Sequence, residues 1–216
     1  MMEATKMALT GLRDLSTLQW YVIPILAIVF YIYSKEIHRA RRKGNWNAIF
    51  AGATIFGLDF FNETWNGWAM VLTGRSALWT APGETALRTM VGWNIEIMFM
   101  FSIAGIIYYY SLSETQDKKI FGINEKWFMG IVYSIFCVLI ECVLNIGGLL
   151  IWEYPFWKLS FGGVWLIFLV GYFLFYAGAA IVISLKRNKS KILMVSIVYV
   201  VPIIMNIIGA LLGWRY

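Results

Sequence analysis

Charge is scarce in this chain. Only 14% of its residues are Asp, Glu, Lys or Arg, where an ordinary soluble domain holds about a quarter. Its polar stretches are too short to fold as a separate soluble domain. A single histidine, His38, excludes a His-based zinc site and a His-based catalytic triad. The 2 cysteines, Cys137 and Cys142, fall in one apolar segment and point in different directions on a helix. No disulfide is expected between them, and they read as small apolar filler. A glycine-rich phosphate loop, a CxxC pair, a nucleophile elbow and an HExxH motif are all missing. ATP hydrolysis, dithiol redox chemistry and zinc proteolysis therefore have no support. No metal is predicted, and no residue pattern names a cofactor. The first apolar run begins near Leu18 without a small-residue cleavage site after it, so no secretory signal peptide is expected.

What the chain has in place of charge is apolar length. Hydrophobic residues make up 60% of it, and the mean hydropathy is +0.69. Long apolar runs with few charges read as transmembrane helices. The prediction is an all-α, polytopic membrane protein: one domain over residues 1–216, integral and multi-pass, in the cell membrane. Six spans are expected, at residues 18–33, 47–72, 93–112, 127–152, 164–185 and 192–213. All but the short first one comfortably cross about 30 Å of hydrocarbon at 1.5 Å per residue.

The net charge of +6 does not point to nucleic acid, because the basic residues sit at helix ends. Three loops, "SKEIHRARRKGNW", "SLSETQDKKIFGINEK" and "KRNKSK", carry 12 of the 18 Lys and Arg. The positive-inside rule places these loops in the cytoplasm and both termini on the other side. Trp79, Trp93, Trp152, Trp157 and Trp214 then map to the outer boundary, as an aromatic belt would. In the loop after the second span, "APGETALRTMVGW" predicts a short interfacial helix over residues 84–91, with Glu84 and Arg88 paired at i,i+4.

The second span contradicts its surroundings. Within "GLDFFNETWNGW", Asp59, Asn62, Glu63 and Asn66 are spaced i, i+3, i+4, i+7, which is one face of an α-helix. An ionisable residue inside a membrane must be paired, protonated or wet, and marks a functional site by default. The fourth span repeats the pattern with Ser134, Cys137, Glu141 and Asn145. The sixth places Asn206 on one face with Tyr199 and Pro202, and the third begins with Asn94 and Glu96. These groups share the middle and outer half of the bilayer. They predict a polar cavity between spans two, three, four and six, opening outward.

Three chemistries fit that cavity. The leading one is an enzyme acting on a lipid or isoprenoid-like substrate. Glu63 and Glu141 form the acid/base pair, Asp59 and Glu96 tune them, and Asn62, Asn66, Asn94, Asn145 and Asn206 orient groups with Trp65 and Trp152. Aromatic side chains, 18% of the residues, can stabilise a developing cation. In composition and span layout this combination resembles small membrane-bound terpene and carotenoid cyclases, and no residue role is carried over from them. The alternatives are a cation- or proton-coupled transporter and a non-catalytic protein whose buried acids tie helices together. Membrane lipids are the expected partners. The inner half holds only scattered Ser and Tyr, which speaks against a conduction path.

Overall fold

The computed structural model describes residues 1–216. After the short helix α1 (Glu3–Thr10), the chain builds six long helical rods. They are α2 (Val22–Lys43), α3 (Asn47–Thr73), α4 (Ile95–Tyr110), α5 (Glu125–Ile146), the rod Phe161–Ser184, and α8 (Asn188–Leu211). The fifth rod is α6 (Phe161–Leu166), a π-helical segment (Ile167–Phe173) and α7 (Leu174–Ser184) in succession. Three rods are long and apolar enough to cross a membrane: Glu125–Ile146, Phe161–Ser184 and Asn188–Leu211; α4 is apolar but shorter.

Local chemistry sets the helix ends. The α2 helix runs ten residues beyond the expected span because Lys and Arg are good helix formers. Arg41, Arg42 and Lys43 complement its C-terminal dipole. Gly44 then stops it at φ 68°, with its N–H donating to the Ala40 carbonyl at 2.8 Å. The fourth rod ends at Ile146 rather than near residue 152, where Gly147 and Gly148 break the helix and Gly148 adopts φ 71°. Side chains of Asn94, Asn124 and Ser160 cap the N-termini of α4, α5 and α6.

Helix α3 lies at the centre, against α4, α7 and α8. Its Ala51 and Ile55 are fully buried in a core with Phe101, Tyr108, Phe175, Tyr176 and Ala179. Where α3 crosses α4, a Cβ on Gly105 would stand 2.2 Å from the Ala51 carbonyl oxygen, so the two backbones meet directly. The outer faces of α5 and α8 are apolar and exposed, for example Leu139, Val143, Leu193 and Leu211. Such unbroken apolar surface suits lipid rather than water.

Residues 1–21 and 212–216 lie at the same end as the segments 74–94 and 147–160. There the strands β1 (Trp79–Thr80) and β6 (Ile151–Trp152) pair antiparallel, tying those segments together. The predicted interfacial helix over 84–91 does not form. Residues Arg88–Met90 (β2) and Trp93–Asn94 (β3) make a hairpin instead. The Glu84–Arg88 pair is absent too: Arg88 is 5% exposed and donates to the carbonyls of Ala81 (2.9 Å) and Gly83 (2.6 Å). Anchoring a buried guanidinium on loop carbonyls outweighs a surface pair worth a few tenths of a kcal/mol. Burial pulls the Arg88 guanidinium below its ordinary pKa, with Glu96 acting the other way. At the opposite end, β4 (Lys119–Ile120) and β5 (Ile123–Asn124) form a hairpin. Its turn residues Phe121 and Gly122 both have positive φ, as a type I′ turn requires.

Candidate functional site: an acid-lined chamber

Three carboxylates meet at one cavity. Asp59 and Glu63, one helical turn apart on α3, and Glu141 of α5 all line a chamber of about 260 Å³. They are 4%, 5% and 8% exposed. Each accepts a hydrogen bond from a different indole. Trp93 Nε1 donates to Asp59 Oδ2 at 2.7 Å, Trp79 Nε1 to Glu63 Oε1 at 2.8 Å, and Trp152 Nε1 to Glu141 Oε1 at 3.2 Å. The second oxygens of Glu63 and Glu141 are buried and have no partner. Buried polar atoms rarely stay unsatisfied without a reason such as catalysis or a bound molecule.

No cation compensates these acids. The one ion pair in the protein is Lys6–Glu3, on the surface. Arg88 is taken up by loop carbonyls. No group of three or more His, Cys, Asp or Glu is arranged to hold a metal ion.

The walls are apolar and aromatic. Phe101 and Ala104 come from α4, Tyr133 and Cys137 from α5, and Phe175 and Tyr176 from α7. The π-helical segment supplies Ile167, Gly171 and Tyr172. A π turn widens a helix locally and recurs at functional sites, and here it turns that segment toward Glu141. The chamber is roofed rather than open outward: Trp79, Gly92, Leu150 and Trp157 close that end. Exposure is lateral. Met100 and Ile107 of α4 and Phe136 and Ile140 of α5 line the chamber and are also 38–58% exposed. Helices α4 and α5 meet at few points, so the opening between them faces the same surroundings as the apolar outer surface.

The remaining sequence-predicted residues are placed elsewhere. Asn62 lines the chamber, its Nδ2 3.5 Å from the Val170 carbonyl of the π segment. Asn66 is fully buried and clamps the roof: Nδ2 donates to the Trp79 carbonyl at 2.8 Å, and Oδ1 accepts from Leu78 N at 2.8 Å. Asn94 is the α4 cap, and Asn145 donates to the Leu150 carbonyl. Asn206 bonds Thr64, the Pro202 carbonyl and Tyr216 at the α3–α8 contact. None of these four lines the chamber, because their amides are used on the protein itself. Glu96 is also separate. It accepts from Tyr21 (2.6 Å), Thr85 (2.5 Å) and Ala86 N (2.8 Å), tying the N-terminal segment to the roof. Trp65 faces outward, 48% exposed. Trp152 reaches the site as a donor to Glu141.

The expected aromatic belt is corrected for Trp79, Trp93, Trp152 and Trp157. All four are buried, at 4–9% exposure, and build the roof. An indole offers a large apolar body with one donor, which suits it to cover a carboxylate in an apolar setting. Residues 2–17 strap this roof from above. Thr5 donates to Glu153 through both its N–H and its hydroxyl, Met2 N donates to Ser76, and Arg13 N donates to the Arg88 carbonyl.

A family model described as an uncharacterized membrane protein family matches residues 2–211. An uncharacterized protein of Archaeoglobus fulgidus is 39% identical over 213 residues, covering 98% of this chain and 98% of its own length. No solved structure matches. The matched region contains the three carboxylates, their three indoles and both rims of the lateral opening.

Proposed function

The chain belongs to this membrane protein family, and we propose that within it the protein is a six-span, membrane-embedded enzyme acting on a lipid or isoprenoid-like substrate by acid/base chemistry. The observation that carries this reading is the chamber's shape. Its opening lies between two apolar helices, its walls are aromatic, and its acids stand at the roofed end. A substrate dissolved in the bilayer enters sideways without crossing water. The location is the cell membrane, with the loops after α2, α4 and α7 in the cytoplasm by their basic charge. An even number of crossings fits residues 1–21 and 212–216 lying at one end.

Glu63 and Glu141 are the acid/base pair. One carboxyl group delivers its proton to a substrate double bond, and the other takes a proton from a neighbouring C–H. The pair as a whole then gains and loses none. Asp59 sits one turn from Glu63 and adds to the field that favours a developing cation, as do the rings of Tyr172, Tyr176 and Trp157.

The test is to replace Glu63 and Glu141 by Gln separately, then compare lipid extracts of cells holding each variant at matched protein level. Gln keeps the shape and one acceptor oxygen, so folding is retained while a substrate accumulates. Unchanged lipids, with wild-type folding, would overturn the enzymatic reading. Carboxylate-dependent ion uptake into liposomes would replace it with transport.

A further inference from the structure

A second space adjoins the acid chamber. Between the middle of α2 and the end of α4, a groove is lined by Tyr31, Lys35, Glu36, Tyr110 and Ser111, and it shares Ile107 and Tyr133 with the chamber. From Ile97 at the roofed end to Tyr110 in the groove, α4 advances about 20 Å. The two spaces therefore adjoin along α4, with Ile107 and Tyr133 between them, and together they extend over most of the hydrocarbon thickness.

Their charges are opposite. The chamber holds three carboxylates and no Lys or Arg. Around the groove, Lys35 lies 6.0 Å from the Tyr31 ring and the Arg39 guanidinium 4.9 Å from the Tyr110 ring, and neither is in an ion pair. The one acid there, Glu36, is 7% exposed and accepts a hydrogen bond from the Tyr110 hydroxyl. Its carboxylate is engaged by that hydroxyl, while the two cations are in no ion pair. An anionic group is repelled from the chamber and attracted to the groove.

We infer that the substrate of the site proposed above is a single-chain amphiphile with an anionic head, held with the head at Lys35 and Arg39 and the far end of its apolar chain at Asp59, Glu63 and Glu141. This rests on the proposed enzymatic reading and sharpens it. The reacting carbons lie at the end of the chain remote from the head. A diphosphate or carboxylate leaving group never meets the acids.

The experiment uses the full chain in phosphatidylcholine nanodiscs and 16-bromohexadecyl phosphate, whose terminal bromine quenches tryptophan at short range. Trp79 and Trp157 line the chamber. We expect saturable quenching by this probe and much weaker quenching by its 2-bromo isomer. The double variant Lys35→Gln, Arg39→Gln raises the half-saturation concentration about tenfold, the loss of charged contacts with the head. Ile107→Trp, a half-exposed position at the shared neck, removes the saturable component. Equal half-saturation for 16-bromohexadecyltrimethylammonium, or no effect of the double variant, would overturn the head assignment. Displacement of the probe by an equal concentration of inorganic phosphate would overturn the threading of the chain. All of these are binding readouts, so they stand or fall apart from the Glu63→Gln and Glu141→Gln lipid profiles.

Discussion

Asn66→Leu removes the clamp under the roof while filling nearly the same space. Two backbone groups lose their partner to the amide at 2.8 Å, the Leu78 N–H and the Trp79 carbonyl. The Trp79 N–H, 3.4 Å from Asn66 Oδ1, loses a weaker contact. The site is fully buried, so water cannot replace the amide. Each orphaned group costs about 1–3 kcal/mol, giving roughly 2–6 kcal/mol in all. At about 2–4 °C per kcal/mol for a chain of this size, the unfolding midpoint falls by roughly 4–24 °C. Cys137 and Cys142 are free and partly buried, so a thiol-reactive dye reports the transition in detergent. Asn62→Leu is the control, because its amide has one contact at 3.5 Å, and its midpoint moves by less than about 3 °C. A midpoint for Asn66→Leu as close to wild type as that control would refute the clamp.

Two further expectations concern packing and the hairpin. Gly105→Ala puts a methyl 2.2 Å from the Ala51 carbonyl oxygen, where only backbone movement helps. It lowers stability by about 1–3 kcal/mol or more, read as loss of the monodisperse peak on size exclusion. Gly162→Ala, with nothing within 4 Å of the added carbon, leaves that peak unchanged. Arg88→Lys keeps the charge but cannot reach the Ala81 and Gly83 carbonyls together, because an ammonium lacks the planar fork. Hydrogen exchange at the Ala81 amide, which donates to Val91, accelerates accordingly; wild-type protection there would show that the guanidinium does not hold the hairpin.

The part of the site that helical phase can describe was legible in the sequence. Asp59, Asn62 and Glu63 repeat at i, i+3, i+4, and one helix turns them to one side. The same logic aimed Cys137 and Glu141 at the same space. Phase says nothing about what a loop lays over a helix. Trp79, Trp93 and Trp152 sit in short strands between rods, and their distance from the acids is fixed by β1–β6 pairing and the 88–94 hairpin. Composition at the helix ends suggested a lipid-facing belt, and only the tertiary contacts reveal a roof. Glu96 misled for a related reason. It lies in the first turn of α4, so its carboxylate points back to Thr85, Ala86 and Tyr21 rather than down into the chamber. The residues 84–91 balanced a weak helix signal against β-branched Thr89 and Val91, and a buried Arg88 decided the outcome. The π segment left no trace in the hydropathy, since it changes the path of the backbone and not its apolar character.

The strap over the roof sets an order of events during synthesis. Thr5 waits for Glu153, which is 148 residues further along. At about 5–20 residues per second, that interval is roughly 7–30 s. Within it, over the 78 residues from Glu63 to Glu141, roughly 4–16 s, Asp59 and Glu63 have been made while the Glu141 wall and Trp152 have not yet followed. For those seconds the acidic helix stands beside an unfinished vault. Whatever shelters it then, whether the insertion machinery or the flanking helices, is as necessary to this protein as its finished lid.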